Sequence, residues 1–274
     1  MPDATSNQAT GPQQGRRGSE IPADGFRPLR SKLRPARSHL PLVHREALVD
    51  ALARTRAPLI LVSAPAGAGK STLLSQFAGA DVRPVAWAQL DEGDNDPIVL
   101  LTYLALALDA VSPVDEEMFP LLRARVPPVD ERILPGLAEV LARAPAFLFV
   151  LDDAHLITSA ECWRILGFIA SRLPDGCHLL IGTRTDPPLP LARLHAAGRL
   201  TEYRMMDLAM TRDEARRLLE LYGRSADGPA LDDLMRQTEG WVTGLCLALL
   251  AGDGGSPREL LVSAHGADVR LPAT

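Results

Sequence analysis

One stretch constrains this chain more than any other: Ala64-Pro65-Ala66-Gly67-Ala68-Gly69-Lys70-Ser71-Thr72. The apolar run Leu59-Ile60-Leu61-Val62 precedes it, and the helix-like run Leu73-Leu74-Ser75-Gln76-Phe77-Ala78 follows. Strand, glycine loop, lysine with hydroxyl, then helix is the order that a phosphate-binding P-loop requires. The glycines let successive backbone N–H groups curl toward one anion, and the next helix turns its positive end on the same point. The pattern assigns Pro65, Ala66, Gly67, Ala68, Gly69, Lys70, Ser71 and Thr72 to nucleotide binding. Lys70 is expected to reach the β- and γ-phosphates and act in catalysis, Ser71 to ligate Mg²⁺, and Thr72 to sit near the α-phosphate. Ala64 stands where the strict pattern has glycine.

A chain of 274 residues is long enough for one large α/β domain with a smaller appendage. Only 4% of its residues are aromatic, so the core must be built from Leu, Ala and Val. A net charge of -5 excludes the global basic field that nucleic-acid binders carry. Cys162, Cys177 and Cys246 are scattered, form no C-x-x-C pair, and suggest neither zinc nor a disulfide framework. No apolar run approaches the roughly 20 residues of a membrane helix, and the N-terminus has no signal-peptide core. A cytoplasmic protein without membrane contact is expected.

Residues 1–25 are rich in Pro, Gly, Gln, Ser and Asn, and disorder is expected there. Next comes a basic segment with Arg27, Arg30, Lys32, Arg34 and Arg37. It reads either as a solvated lead-in packing through Leu29 and Leu33 or as an electrostatic contact to nucleotide or nucleic acid; the first is favoured because these charges make a weak patch. A helix opens at Val43–Glu46 and Pro58 ends it. Strands are expected at Leu59–Ser63, Val85–Ala88, Phe147–Leu151, His178–Gly182 and Thr201–Leu208. Helices are expected at Ile98–Val111, Glu131–Arg143, Ala160–Arg172 and Leu191–Ala197, with Leu90–Pro97 as a polar turn. Thr211-Arg212-Asp213-Glu214 is a capping box that starts a helix ended by Gly223. Helices near Ala230–Thr238, Trp241–Ala251 and Pro257–Ala264 complete the chain. The fold class is α/β: a P-loop NTPase with a parallel five-stranded sheet flanked by helices, followed by a small helical lid. The divisions are 1–25 (tail), 26–208 (ATPase domain) and 209–274 (lid).

Asp152-Asp153 closes the most apolar strand. A carboxylate at the C-terminal end of a strand beside the P-loop strand can hold Mg²⁺; Asp152 is assigned that role, and Asp153 the polarising of the attacking water. An Asp in that place is shorter than a Glu, so slow hydrolysis is expected. His155 is more readily structural than functional. Arg184, at the end of another strand, reads equally as a sensor of the γ-phosphate or as a surface cap. The segments Thr211–Tyr222 and Ala230–Leu250 loosely suggest a helix–turn–helix, but their excess of acids argues against a DNA reader.

With these residues in hand the sequence resembles the N-terminal ATPase module of MalT-like regulators, the LuxR-type activators of the STAND class of P-loop NTPases. The matching stretches are Leu29–Pro35, Val43–Glu46, SAPAGAGKSTLL at Ser63–Leu74, WAQLDEGDNDP at Trp87–Pro97 and VLDDAHLI at Val150–Ile157. They continue through GTRTDPPLPLARLHAAGRL at Gly182–Leu200, DLAMTRDEA at Asp207–Ala215 and EGWVTGLCLALL at Glu239–Leu250. The family tolerates alanine at the position of Ala64. The resemblance implies a signalling ATPase that switches between an ADP-held form and an ATP-bound form able to self-associate. It places Val43, His44 and Arg45 near the adenine, makes Arg184 the sensor arginine, and puts Glu239-Gly240-Trp241 in the lid. Family members continue into further domains, so DNA contact is expected only through a C-terminal domain absent from this sequence. Two alternatives stand beside this reading: a nucleotide-holding scaffold without turnover, and a DNA-associated AAA-type ATPase.

Overall fold

The structure, a computed structural model, describes residues 26–36, 41–224 and 228–251. In chain order the elements are α1 (Glu46–Arg54), β1 (Leu59–Ser63), α2 (Lys70–Ala80), β2 (Val85–Gln89), α3 (Pro97–Asp109), α4 (Met118–Leu122), α5 (Leu134–Arg143), β3 (Leu148–Asp152), α6 (Ala160–Ser171), β4 (His178–Thr183), α7 (Leu191–Ala196), β5 (Leu200–Tyr203), α8 (Met205–Leu208), α9 (Arg212–Leu221), α10 (Pro229–Thr238) and α11 (Val242–Ala251). The strands form one parallel sheet in the order β2-β3-β4-β1-β5.

The apolar strands β1, β3 and β4 are buried along their whole length. Their side chains alternate between two cores, as the two-residue period of a strand dictates. Leu59, Leu61, Phe149, Leu151, Leu179 and Ile181 face the core built with α3, α5 and α6. Ile60, Val62, Leu148, Val150 and Leu180 face the core built with α1, α2 and α8. Full burial of each such side chain is worth about 1.5–3 kcal/mol, so both faces of the sheet contribute to holding it. A third, smaller core joins Val43 and Met210 to α9, α10 and α11. This is the expected α/β P-loop fold with its helical lid. Among the described residues no helix is long and apolar enough to cross a membrane.

Four expectations need correction or refinement. The last strand stops at Tyr203 rather than Leu208, because Tyr203 pairs with Val62 and β1 bends into the P-loop one residue later. With no partner backbone, residues 205–208 form α8, and Arg204 N donates to Asp207 Oδ2 at 2.7 Å at its start. The helix expected from Glu131 begins instead with a π-helical turn, Val129–Ile133. Leu134 N donates to Val129 O there, and Pro135 falls in the first α-turn, where its missing N–H costs nothing. The strand of Asp152 does not lie beside the P-loop strand: β4 stands between β3 and β1.

The fourth concerns the basic segment. Residues 30–33 form a 3-10 turn against β2, and Lys32 is buried. Its ammonium bonds Asp94 at 2.6 Å, lies 3.0 Å from Asp91, and sits 4.1 Å over the Tyr103 ring. The Tyr103 hydroxyl accepts from Leu29 N, and Phe26 packs edge-on against its ring. Leu33 packs on the core as expected, whereas Leu29 is exposed. Asp94, read from sequence as part of a polar turn, is fully buried in a 3-10 turn. The expected tail, Arg37 and the Pro257–Ala264 helix lie outside the described residues.

Candidate nucleotide-binding site

β1 ends at Ser63 and the loop turns through Gly67 (φ +72°) and Gly69 (φ +85°) into α2. Both values lie in the left-handed region that only glycine enters at no cost. Lys70 is buried and donates to Ala64 O at 2.7 Å and Pro65 O at 2.9 Å. Burial lowers its pKa below the ordinary lysine value, and Arg184 pushes the same way; Asp153 and Asp152 oppose them. These four charged groups therefore share one electrostatic neighbourhood, although they come from α2, β3 and the segments that follow β3 and β4.

Asp152 is 1% exposed. Burial raises its pKa; the Ser71 hydroxyl lowers it, Asp153 raises it, and the Asp153 amide and Lys70 lower it. Asp152 Oδ1 accepts from Asp153 N at 3.0 Å, while Oδ2 is buried with no hydrogen-bonding partner among the described residues. An orphaned carboxylate oxygen costs free energy in a protein interior. Beside a serine hydroxyl, it is the donor set of a hard cation such as Mg²⁺. The residues fit that ion, although no larger cluster of metal-ligating side chains occurs among the described residues.

Asp153 has left-handed backbone geometry (φ +57°), and its Oδ2 accepts from Gln89 Nε2 at 2.6 Å. His155 Nδ1 lies 3.8 Å from Asp153 Oδ1. The turn after Asp153 is fixed by Asn95, which donates to Leu156 O and accepts from the backbone of Thr158 and Ser159. Arg184 is exposed at the end of β4. Thr72 is half-buried, Ser71, Pro65 and Ala66 are exposed, and Ala68 is buried.

The segment before α1 is placed differently. His44 is exposed, whereas Val43 is buried in the lid core and its carbonyl accepts from Gln76. The Arg45 side chain is buried and committed elsewhere: it bonds Glu214 at 2.8 Å and the carbonyls of Leu208 and Ala209 at 3.1 Å each. Glu214 also closes the capping box with Thr211. The lid reaches the loop itself: Trp241 Nε1 donates to Ala66 O at 3.1 Å and Thr243 Oγ1 to Gly67 O at 3.0 Å.

Sequence reasoning passed over three residues. Gly182 on β4 has no side chain where a Cβ would lie 2.6 Å from Asp152 Oδ1 and 2.8 Å from Leu74 Cδ1. It opens the gap through which Asp152 reaches toward α2 from one strand further away; a glycine inside an apolar strand is the signal that marks such an approach. Gln89 is the polar terminus of β2 in register with Asp152. Thr243 gave no signal, because its partner is a backbone carbonyl 176 residues away.

A family model described as an AAA ATPase domain matches residues 41–181, just over half of the chain. The chain belongs to that family. This AAA ATPase is 32% identical over 248 residues to the serine/threonine-protein kinase PknK of Mycobacterium tuberculosis, covering 86% of this chain and 22% of that protein. It is 32% identical over 227 residues to the HTH-type transcriptional regulator MalT of Cronobacter sakazakii, covering 81% of this chain and 25% of that one. The chain thus spans about a quarter of the length of these relatives. The resemblance to a MalT-like ATPase module holds. Among solved structures, a Signal Transduction ATPase with Numerous Domains (STAND) protein with a tetratricopeptide repeat sensor from Pyrococcus horikoshii shares the fold. Its TM-score is 0.61 at 18% identity, over 85% of this chain and 33% of that one. A Walker-type ATPase of Pyrococcus abyssi matches at TM-score 0.53 and 15% identity, over 84% of this chain and 76% of that one.

Proposed function

We propose that this AAA ATPase binds ATP and ADP with Mg²⁺ at the C-terminal ends of β1, β3 and β4, hydrolyses ATP slowly, and reports nucleotide state through its lid. The observation that carries the reading is a buried lysine and a buried carboxylate that share one site without bonding each other. Among the described residues Lys70 donates to its own loop, and Asp152 keeps one oxygen without a partner. Both are arranged for a group yet to arrive.

In this reading Pro65–Thr72 cradle the phosphates and Lys70 leaves the two carbonyls for the β- and γ-phosphates. Ser71 and Asp152 hold Mg²⁺, which when bound neutralises phosphate charge. Asp153 takes the proton of the attacking water, and Arg184 registers the γ-phosphate. Gln89 bonds the same carboxylate that must act as base, which supports slow turnover. Val43 and the backbone around His44 and Arg45 flank the base, since the Arg45 side chain is already spent on Glu214. We divide the ATPase domain from the lid after residue 208. The name of the MalT relative supports a role within a transcription regulator, and signal transduction is our proposal for what the module does there. Self-association on ATP binding belongs to that role, and DNA contact belongs to another part of such a protein.

Phosphate release by the purified chain, against Lys70→Ala, tests the reading. Slow release that the substitution abolishes is expected. Retained ADP with no release above the variant would replace the ATPase by the second reading, a nucleotide-holding scaffold. Failure to bind either nucleotide would remove both. Size-exclusion chromatography with a non-hydrolysable ATP analogue against ADP tests self-association.

A further inference from the structure

We infer that the start of α11 is a positioning device for the phosphate loop: Trp241, just before the helix, and Thr243, in its first turn, hold the loop from its outer side and so govern how fast bound nucleotide leaves. The inference rests on the nucleotide reading above and adds to it a second set of residues.

The loop carbonyls of Ala64, Pro65, Ala66 and Gly67 all accept hydrogen bonds. The first two accept from Lys70 Nζ. The next two accept from the lid: Ala66 O from the Trp241 indole, and Gly67 O from the Thr243 hydroxyl at 3.0 Å and the Thr243 amide at 3.2 Å. When a nucleotide draws Lys70 to its phosphates, the lid donors are the ones left holding the loop. The contact is close. A Cβ on Gly67 would lie 2.2 Å from Thr243 Oγ1 and 2.7 Å from Thr243 Cβ, and one on Gly69 would lie 3.4 Å from Val242 Cγ2. The lid occupies the space that a side chain at residue 67 would take.

The chemistry follows from the peptide unit. Ala66 O and Gly67 N–H belong to one peptide, and Gly67 O and Ala68 N–H to the next. A donor on a carbonyl polarises the N–H at the other end of its peptide and fixes where that N–H points. The lid thus strengthens and aims two of the amides that the loop turns toward phosphate. Because coupling between binding events is reciprocal, phosphate on the inner side tightens the lid by the same factor.

The attachment is itself anchored on the side away from the loop. Gly240 (φ +73°) accepts from Met210 N at 2.8 Å, and a Cβ there would lie 2.7 Å from Met210 O. Arg45 holds the neighbouring carbonyls of Leu208 and Ala209. Gly240, just before α11, is therefore tied through Met210 to the segment that Arg45 holds, while Trp241 and Thr243 tie the start of α11 to the loop.

The test uses the full chain with Thr243→Val, Thr243→Ser, Trp241→Phe and the Thr243→Val/Trp241→Phe pair. Release of a fluorescent N-methylanthraniloyl ADP is followed by stopped flow, and amide hydrogen exchange across residues 242–249 is measured with and without ADP. Each lost bond should speed release by about five-fold, the pair should exceed either single change, and Thr243→Ser should restore the wild-type rate. The protection that ADP confers on α11 should fall by the same factor as ADP affinity. Equal release rates in wild type and pair overturn the inference, as does faster exchange in α11 with release unchanged, which is the mark of mere packing. Failure of the wild type to bind the probe would overturn the nucleotide reading and this inference with it.

Discussion

The molecule buries a lysine near an aspartate twice, with opposite results. Lys32 and Asp94 are 8% and 0% exposed; Lys70 and Asp152 are 6% and 1% exposed. In both places burial raises the carboxyl pKa, and in both one carboxylate oxygen has no hydrogen-bonding partner among the described residues. At Asp94 the ammonium sits 2.6 Å away, reinforced by Asp91 and the Tyr103 ring. At Asp152 the ammonium has turned to backbone carbonyls. The first pair is a closed structural staple, and the second is held apart. Burial and a shifted pKa alone do not mark a functional site; the pairing of the charges separates the two.

The largest expected effect is at Lys70. Lys70→Ala should lower ATP turnover by about 10²–10³-fold, the usual loss on removing a group that stabilises transition-state charge, while the melting temperature of the ligand-free protein changes little. Phosphate release and a thermal melt measure both; a variant that unfolds would erase the contrast with Lys32. Lys32→Ala should do the reverse and cost about 3 kcal/mol in denaturant unfolding, since it leaves a buried carboxylate uncompensated. Adding Asp94→Leu should recover much of that loss. Gly182→Ala comes next: its methyl meets Asp152 and Leu74 and should cost about 2 kcal/mol of stability. Nucleotide binding should weaken more with Mg²⁺ than with EDTA, as read by titration calorimetry.

The smallest effect is the most diagnostic. Asp152→Asn removes a buried charge that lacks an ion pair and should stabilise the ligand-free protein by about 1 kcal/mol while abolishing the Mg²⁺ dependence of binding. The sign follows from linkage. The folded-state pKa of Asp152 is raised, so its ionised form destabilises the fold at neutral pH, and the penalty is relieved as pH falls through that pKa. The advantage of Asp152→Asn should therefore shrink on acidification, as melts across pH will show.

The sheet was legible in the sequence because a strand buried on both faces reads as a continuous apolar run, as at Leu59–Val62 and Phe147–Leu151. The loop was legible because φ above zero demands glycine at 67 and 69. The strand order was not, since apolar runs carry no record of their neighbours, and so Asp152 was placed one strand too close to the P-loop. Lys32 looked like one more surface cation because its partner lies 62 residues away. Residues 204–208 read as strand on composition alone; what stopped β5 was the end of β1, a tertiary fact. Arg45 was assigned from resemblance, and its ties to Glu214 and two carbonyls could not be seen before the lid was folded onto α1.

The staple also sets where the molecule can be cut. The family match begins at residue 41 and ends at residue 181, and a fragment excised to those limits would enclose Asp94 without Lys32. It would bare the outer edge of β2, against which the Arg30–Leu33 turn lies, and would lose β5, Arg184 and the donors of α11. The recognisable stretch and the stretch that folds and works together are different lengths of chain. An excision that keeps the staple, β5 and the lid donors spans at least residues 26–251.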